Sequence, residues 1–226
     1  MHKYTVCVIG NDARQAYLAE YLKEQGVVVH AHDDFDPLYL KDCDLLMGPE
    51  SFYMDGTLRP DISEACATYH VAVVNYISNR EYLIANAELT AEGFLSHLII
   101  NTPFSLNGAT GLVLGFGRCG SAIAKRLHVL GCRVDAYDLI PEQFENPESY
   151  DFIINTIPAM VITEDILKPL RKDCILFDIA SESGGFDTDA VASLGLKIIR
   201  CQEIPQHTSP KTAGYALGAL ALSYLN

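Results

Sequence analysis

Residues 111–120 read Gly-Leu-Val-Leu-Gly-Phe-Gly-Arg-Cys-Gly, a short apolar strand followed by three glycines in the spacing GxGxxG. Apolar residues at helical spacing follow this stretch, and the next apolar run ends at Asp138. A glycine turn between a strand and a helix, with an acidic residue about 20 positions further on, is typical of a dinucleotide-binding βαβ unit. The sequence therefore predicts that the turn binds a pyrophosphate at the amino end of a helix.

Each part of this pattern has a physical purpose. The first glycine permits the tight turn, the second lets the pyrophosphate approach the backbone, and the third lets the helix pack against the strand. The Asp138 carboxylate accepts hydrogen bonds from ribose hydroxyls and repels a 2′-phosphate, which favours NAD over NADP. A structural glycine turn that has lost its ligand is the alternative. The residues assigned to the cofactor are Gly115, Phe116, Gly117, Arg118, Cys119, Gly120 and Asp138.

Strand-like apolar runs alternate with helix-period segments along the whole chain. This alternation predicts an α/β protein built on parallel sheets. We expect a small Rossmann-like or flavodoxin-like domain over residues 1–87. A dinucleotide-binding Rossmann domain should follow over residues 88–226, with a linking helix at about Glu88 to Asn101. The earlier turn Gly10–Arg14 lacks the second and third glycines, so we interpret it as a structural βα turn.

Composition narrows the class of protein. The net charge of -13 argues against a nucleic-acid partner, which needs basic surface. No apolar run approaches the length that spans a bilayer, and no signal peptide is recognisable, so we expect a cytoplasmic protein without membrane contact. Seven scattered cysteines and seven histidines form no convincing ligand-spaced set, and we expect no metal.

Six ordered segments give a more specific indication. They are residues 8–15, 90–93, 115–120, 155–160, 178–185 and 210–214. Taken together they resemble the A subunit of dipicolinate synthase, a family whose fold is similar to that of the two-domain D-2-hydroxyacid dehydrogenases. The resemblance implies nicotinamide-linked oxidation of a dihydrodipicolinate-type precursor to dipicolinate during sporulation. It also implies a partner, a flavoprotein-like B subunit.

The chain departs from this family in four respects. Its N-terminal half is shorter, and the segment after Asp138 is cut down. Glu182 and Ser183 stand where the family usually has arginine and proline. Arginine is the natural forked ligand of a carboxylate, so glutamate inverts the local charge. The family also tends to have a basic residue near the ribose, and Asp138 in its place again indicates NAD.

Chemistry is expected at the carboxyl ends of the second-half strands and in the interdomain cleft. Thr156, Ile157, Pro158 and Ser181 are assigned to the cofactor. Lys211, His207 and Glu182 are the catalytic candidates, since a lysine can bind a carboxylate and a histidine can transfer a proton. The alternative to a catalytic role for His207 and Glu182 is that each is simply a solvated side chain in a loop. The substrate-binding candidates are Glu92, for which helix capping is an equal explanation, Gly184, Thr208 and Thr212.

Three functional hypotheses remain open from the sequence. The first is an NAD-dependent oxidoreductase resembling the A subunit of dipicolinate synthase. The second is a non-catalytic protein that binds NAD or serves as a regulatory subunit. The third is a dehydrogenase acting on a different small substrate, which Glu182 would suit. The apolar C-terminal helix fits either closure of the cleft or the interface of a homo-oligomer.

Overall fold

The computed structural model describes residues 3–54, 56–138, 146–180 and 184–225. The chain forms two compact units. The first comprises the residues up to Asn86 together with those from Pro205 onward, and the second comprises Ala87–Ile204. No helix within the described ranges is long and apolar enough to cross a membrane.

Strands and helices alternate along both units. The strands are β1 (Thr5–Ile9), β2 (Val28–His32), β3 (Leu45–Met47), β4 (Tyr53–Met54), β5 (Thr57–Leu58), β6 (Ala72–Val73), β7 (Thr110–Leu114), β8 (Arg133–Tyr137), β9 (Phe152–Asn155), β10 (Ile175–Asp178) and β11 (Lys197–Arg200). The helices are α1 (Ala13–Glu24), α2 (Pro60–Tyr69), α3 (Arg80–Asn101), α4 (Arg118–Val129), α5 (Glu164–Leu167), α6 (Thr188–Ser193), α7 (Ile204–Thr208) and α8 (Pro210–Leu225).

The first unit is built on a four-stranded parallel sheet in the order β2-β1-β3-β6. Alternate residues of a strand face opposite sides of the sheet. Val6 and Val8 therefore pack in one buried cluster with Leu18 of α1, while Cys7 and Ile9 lie in a second cluster that includes residues of α2. Both faces of the central strand are covered, which explains why β1 reads as an unbroken apolar run.

The C-terminal helix α8 belongs to this first unit, whereas the sequence pattern places residues 88–226 together in the second domain. The cause is a close helix–helix contact between α1 and α8. A Cβ on Gly214 would overlap the Arg14 carbonyl oxygen, and a Cβ on Gly218 would lie 3.1 Å from Cγ of Tyr21. Because both positions are glycine, α8 approaches α1 closely and buries Leu217.

The second unit is built on a five-stranded parallel sheet in the order β11-β10-β9-β7-β8. Val113 packs in one buried cluster with Phe94 of α3 and Ile123 of α4, and Leu112 packs in another with Leu167 of α5. The predicted α/β class with parallel sheets is confirmed. When the strands of each parallel sheet are numbered separately, the strand orders are 2-1-3-4 and 2-1-3-4-5. In such doubly wound sheets, ligands bind at the carboxyl end of the strands where the order reverses.

Helix α3 begins eight residues earlier than the sequence suggested. The Asn79 side chain accepts a hydrogen bond from the Tyr82 backbone N–H at 2.9 Å, as an N-terminal cap does. Tyr82 is itself buried, so the first turns of the helix are anchored by packing as well. The shortened segment expected after Asp138 falls largely outside the described residues, which resume at Asn146.

Candidate functional site

The glycine turn connects β7 to α4 at the point where the strand order of the second unit reverses. Gly115 has φ of +87°, a conformation that strongly favours glycine, and its N–H donates to the Tyr137 carbonyl oxygen at 2.8 Å. A Cβ on Gly115 would overlap Thr156 Oγ1 and lie 2.9 Å from Ile157 Cγ1. The turn is therefore packed directly against the residues that follow β9.

Gly117 and Gly120 meet different surroundings. Gly117 is the N-terminal cap of α4, with φ of -73° and no side-chain hydrogen bond to the helix. A Cβ at this position would meet no atom within 4 Å, so the amino end of α4 faces open space. A Cβ on Gly120 would overlap the Gly115 carbonyl oxygen, so only glycine lets α4 pack onto the turn. Uncapped N–H groups and the helix dipole make such an end suitable for an anion.

The side chains around the turn leave its outer surface accessible. Phe116, Gly117 and Arg118 are exposed. Asp138 is exposed at the end of β8, and its Oδ1 accepts a hydrogen bond from the Phe116 N–H at 3.3 Å. Cys119 is half-buried, and burial raises the pKa of its thiol while Arg118 acts in the opposite direction. The Cys119 thiol is therefore neutral near pH 7 and brings no negative charge to the turn.

Thr156 and Ile157 lie beside the turn, where the sequence pattern places the neighbours of the cofactor. The Thr156 N–H donates to the Leu114 carbonyl oxygen at 2.8 Å, and its Oγ1 donates to the Gly115 carbonyl oxygen at 3.1 Å. Pro158 follows them and is exposed. These bonds hold the segment after β9 against the first glycine of the turn.

Asn155 and Asp178 are two buried polar residues that the sequence pattern did not assign to the site. Their side chains are 0% and 2% exposed. Asn155 Oδ1 accepts the Ile157 N–H at 3.1 Å, and Asn155 Nδ2 donates to the Ile157 carbonyl oxygen and to Asp178 Oδ1, both at 3.0 Å. In the sequence, each of two apolar strands ends in a polar residue, as in Phe-Ile-Ile-Asn and Ile-Leu-Phe-Asp. This pattern could have identified both residues.

Asp178 extends this network to the loop after β10. Its Oδ2 accepts the Gly185 N–H at 2.9 Å, and its Oδ1 accepts the Ala180 N–H at 3.3 Å. Gly184 has φ of +81°, and a Cβ there would overlap Asp178 Oδ2. Ser181 and Glu182, the other residues predicted in this loop, lie outside the described residues. A continuous set of hydrogen bonds thus links the carboxyl ends of β7, β9 and β10, because buried polar groups require partners.

Glu92 is exposed on α3, in the second unit. The sequence pattern puts it at the start of the linking helix, with capping as one explanation. That explanation is wrong, because α3 begins at Arg80 and Glu92 lies in the middle of the helix. Glu92 remains a substrate-binding prediction only.

The remaining candidates, Lys211, His207, Thr208 and Thr212, belong to the first unit. Lys211 and Thr212 lie in the first turn of α8, and all four residues are exposed. Lys211 Nζ lies 5.2 Å from the centroid of the Tyr215 ring, at cation–π distance. His207 Nε2 lies 3.3 Å from the Gln206 side-chain nitrogen. In the described ranges, no group of three or more side chains is arranged to hold a metal ion.

Comparison with known proteins yields similar sequences and similar solved structures. No family model matches the chain. The A subunit of dipicolinate synthase from Bacillus subtilis (strain 168) is 26% identical over 87% of this chain and 68% of that protein. The crystal structure of the A subunit of dipicolinate synthase from Bacillus halodurans superposes with a TM-score of 0.78 at 22% identity, covering 98% of this chain and 97% of that one.

A more distant structure has the same fold. It is a D-isomer specific 2-hydroxyacid dehydrogenase from Lactobacillus delbrueckii ssp. bulgaricus in its NAD-complexed form, with a TM-score of 0.61, 13% identity and coverage of 98% and 95% of the two chains. The resemblance inferred from the six ordered segments is therefore confirmed. By sequence and by fold, the chain is a relative of the dipicolinate synthase A subunit and has the architecture of the D-2-hydroxyacid dehydrogenases.

Proposed function

We propose that the chain is an NAD-dependent oxidoreductase that binds its cofactor at the glycine turn of the second unit. The observation that carries this proposal is the uncapped amino end of α4 at Gly117, where a Cβ would meet no protein atom within 4 Å. The backbone N–H groups there suit the pyrophosphate. Phe116, Arg118 and Cys119 complete the turn on which it would rest.

The remaining parts of the cofactor would find partners among the residues that follow the strands. Asp138 would accept hydrogen bonds from the ribose hydroxyls, and its charge disfavours the 2′-phosphate of NADP. Thr156, Ile157, Pro158 and Ser181 would flank the nicotinamide half. When bound, the nicotinamide would accept a hydride from the substrate, while the chain positions the substrate and removes a proton.

For the substrate we propose a dihydrodipicolinate-type precursor, which is oxidised to dipicolinate. The names of the two dipicolinate synthase relatives support this choice. In this proposal Lys211 binds a substrate carboxylate and His207 or Glu182 accepts a proton. Glu92, Gly184, Thr208 and Thr212 supply further substrate contacts. The Bacillus subtilis relative is named as one subunit of its enzyme, which supports a partner subunit. We propose that this partner is the flavoprotein-like B subunit that the resemblance implies.

The departure at Glu182 favours a second candidate, an NAD-binding subunit that does not itself catalyse. A carboxylate where the family has an arginine opposes binding of a dicarboxylate at that position. Turnover separates the two candidates. We expect Lys211→Ala to abolish oxidation of the precursor without changing NAD affinity. Unchanged turnover would remove Lys211 from the mechanism, and a wild-type protein that binds NAD without turnover would favour the second candidate.

The cofactor site is tested by titrating the protein with NADH and NADPH and following nicotinamide fluorescence. Gly117→Ala should weaken NADH binding at least about tenfold, because the methyl group occupies the space of the phosphates. Asp138→Ala should reduce the preference for NADH. Asn11→Ala, in the corresponding exposed turn of the first unit, is the matched control and should leave both affinities unchanged. Absence of binding to either nucleotide by the wild type would refute the proposal.

A further inference from the structure

The first unit has its own polar cluster at the carboxyl ends of β1 and β3. Arg14 lies in the first turn of α1, and its Nε and Nη2 donate to Asp12 at 3.2 and 2.8 Å. Nη2 also donates to the Gln206 side-chain oxygen at 3.1 Å. These contacts fix the guanidinium in one orientation. Among the described residues, Arg14 Nη1 has no hydrogen-bond acceptor.

Both oxygens of the Asp12 carboxylate accept hydrogen bonds from within the protein. Asp12 accepts the Arg14 backbone N–H at 2.7 Å in addition to the guanidinium. With its amide turned so that the nitrogen faces the carboxylate, the Gln15 side chain also donates to Asp12 Oδ2 at 2.7 Å. The carboxylate therefore neutralises and orients Arg14 and fills the amino end of α1 itself. Any ligand of this cluster has to be held by the donors that remain, which are those of Nη1 and of nearby hydroxyls.

Two buried tyrosines supply such hydroxyls. Tyr76 and Tyr82 are 9% and 7% exposed and pack edge to face with ring centroids 5.5 Å apart. Within the described part of the chain, neither hydroxyl has a hydrogen-bond partner. Burial raises the pKa of both phenols, and the charge of Arg14 partly opposes this effect on each. Both hydroxyls therefore stay protonated and can donate hydrogen bonds.

A small cavity borders Arg14 and Tyr76. It has a volume of about 10 Å³, and the rest of its lining is Gln15, Leu18, Met47, Gly48 and Leu217. This volume is about that of one water molecule or one carboxylate oxygen. Among the described residues, the one fully buried side-chain oxygen without a partner is Ser209 Oγ, so the two tyrosine hydroxyls keep some contact with solvent and are open to a ligand. The cluster thus offers pre-oriented donors around a space of the size of one oxygen atom.

We propose that Arg14, Tyr76 and Tyr82 form a carboxylate-binding site in the first unit. One carboxylate oxygen enters the cavity and accepts hydrogen bonds from Arg14 Nη1 and the Tyr76 hydroxyl, with the Tyr82 hydroxyl beside it. Gln206 connects the site to His207, because its side chain contacts both Arg14 and that histidine. If the ligand is the substrate, the inference rests on the proposed function, and Arg14 is then the guanidinium that binds one of its carboxylates.

The test uses dipicolinate as the probe, with picolinate as its monocarboxylate analogue and pyridine as the analogue without a carboxylate. Binding to the full chain is measured by saturation-transfer NMR. We expect dipicolinate and picolinate to bind and pyridine not to bind. Tyr76→Phe removes only a hydroxyl without a protein partner, so it should keep the melting temperature. It should weaken dipicolinate binding about tenfold, and Arg14→Gln should weaken it further.

Arg59→Gln is the matched control for Arg14→Gln. Arg59 forms a similar forked pair with Asp61, at 3.1 and 2.6 Å, but the pair is exposed and borders no such cavity. It should leave dipicolinate affinity unchanged. Absence of dipicolinate binding, or binding that survives both Tyr76→Phe and Arg14→Gln, would overturn the proposal. Because the probe contains no nucleotide, failure of NADH to bind would count against the proposed function alone.

Discussion

The two units place a βα turn at the same topological position and use it differently. Gly10 and Gly115 both follow the first strand of a parallel sheet, both have positive φ, and both donate to the second strand, at 2.9 and 2.8 Å. The helix after Gly10 is capped by the Asp12 side chain, whereas the helix after Gly115 has Gly117 at its cap position and no side-chain cap. One turn thus satisfies its helix with the protein's own carboxylate, and the other leaves the helix end available to an external anion.

The largest loss of stability is expected from Gly120→Ala, which disrupts the packing of α4 against the glycine turn of the second unit. Its Cβ would overlap the Gly115 carbonyl oxygen and lie 3.3 Å from Thr156 Oγ1, so the helix has to shift. We expect a loss of about 3 kcal/mol in the free energy of unfolding, measured by urea denaturation. Gly117→Ala is the control, and it should cost about 1 kcal/mol or less. Equal losses in the two variants would show that the close approach at Gly120 does not hold the turn.

Gly117→Asp converts the second turn into the type found in the first. Gly117 has an extended conformation suited to a capping carboxylate, which would occupy the N–H groups of α4. We expect NADH affinity to fall by about a hundredfold or more while the melting temperature stays the same or rises. Fluorescence titration and thermal unfolding measure the two quantities. NADH affinity like that of the wild type would mean that this helix end does not bind the phosphates.

Asp178→Asn tests the buried support behind the second turn. The carboxylate accepts the Gly185 N–H, the Ala180 N–H and the Asn155 amide, and an amide cannot accept all three with the same geometry. One buried donor loses its partner, so we expect a loss of about 2 kcal/mol in the free energy of unfolding. Asp173→Asn, at an exposed carboxylate, is the control. A loss no greater than that of the control would argue against a structural contribution of the network.

The smallest expected effect is a pH-dependent change in stability at the first turn, where Asp12 caps the helix. Burial acts to raise the pKa of Asp12, but the hydrogen bonds and charge of Arg14 outweigh it, so the pKa lies below its usual value. The stabilisation that the ionised Asp12 carboxylate gives to the folded state is therefore present above its unfolded-state pKa of about 3.9. It is lost as the pH falls through the lower pKa of the folded state.

Asp12→Asn keeps a capping side chain and removes this charge. At pH 7 it should cost about 1 kcal/mol or less of unfolding free energy, since the ion pair is partly exposed and screened. The difference from the wild type should shrink in acid below pH about 4. Unfolding curves of both proteins at the two pH values measure it. A difference that grows on acidification would contradict a lowered pKa.

The sequence predicted the parts of the fold that depend on local patterns. Apolar runs defined the main strands, and the glycine turn stood out because its spacing reports a backbone requirement within six residues. The start of α3 was missed because it depends on a single cap at Asn79. The position of α8 was missed because it depends on contacts of Gly214 and Gly218 with a helix about 200 residues earlier in the chain.

The candidate sites likewise depend on contacts between residues that are distant in the sequence. Asn155 and Asp178 close apolar strands, and only the folded sheet brings their side chains to 3.0 Å. The partner of Arg14, Gln206, is 192 positions away, so no sequence window contains both. A motif that acts through its own backbone can therefore be recognised in a single sequence, whereas a cluster assembled from distant segments cannot.

The difference between the two turns is tested most directly by amide hydrogen exchange on the wild-type protein with and without NADH. We expect NADH to slow exchange in the peptide that covers residues 115–121 and to leave the peptide that covers residues 10–16 unchanged. Exchange at 115–121 that does not respond to saturating NADH, or protection confined to 10–16, would contradict the assignment of the cofactor to the uncapped turn.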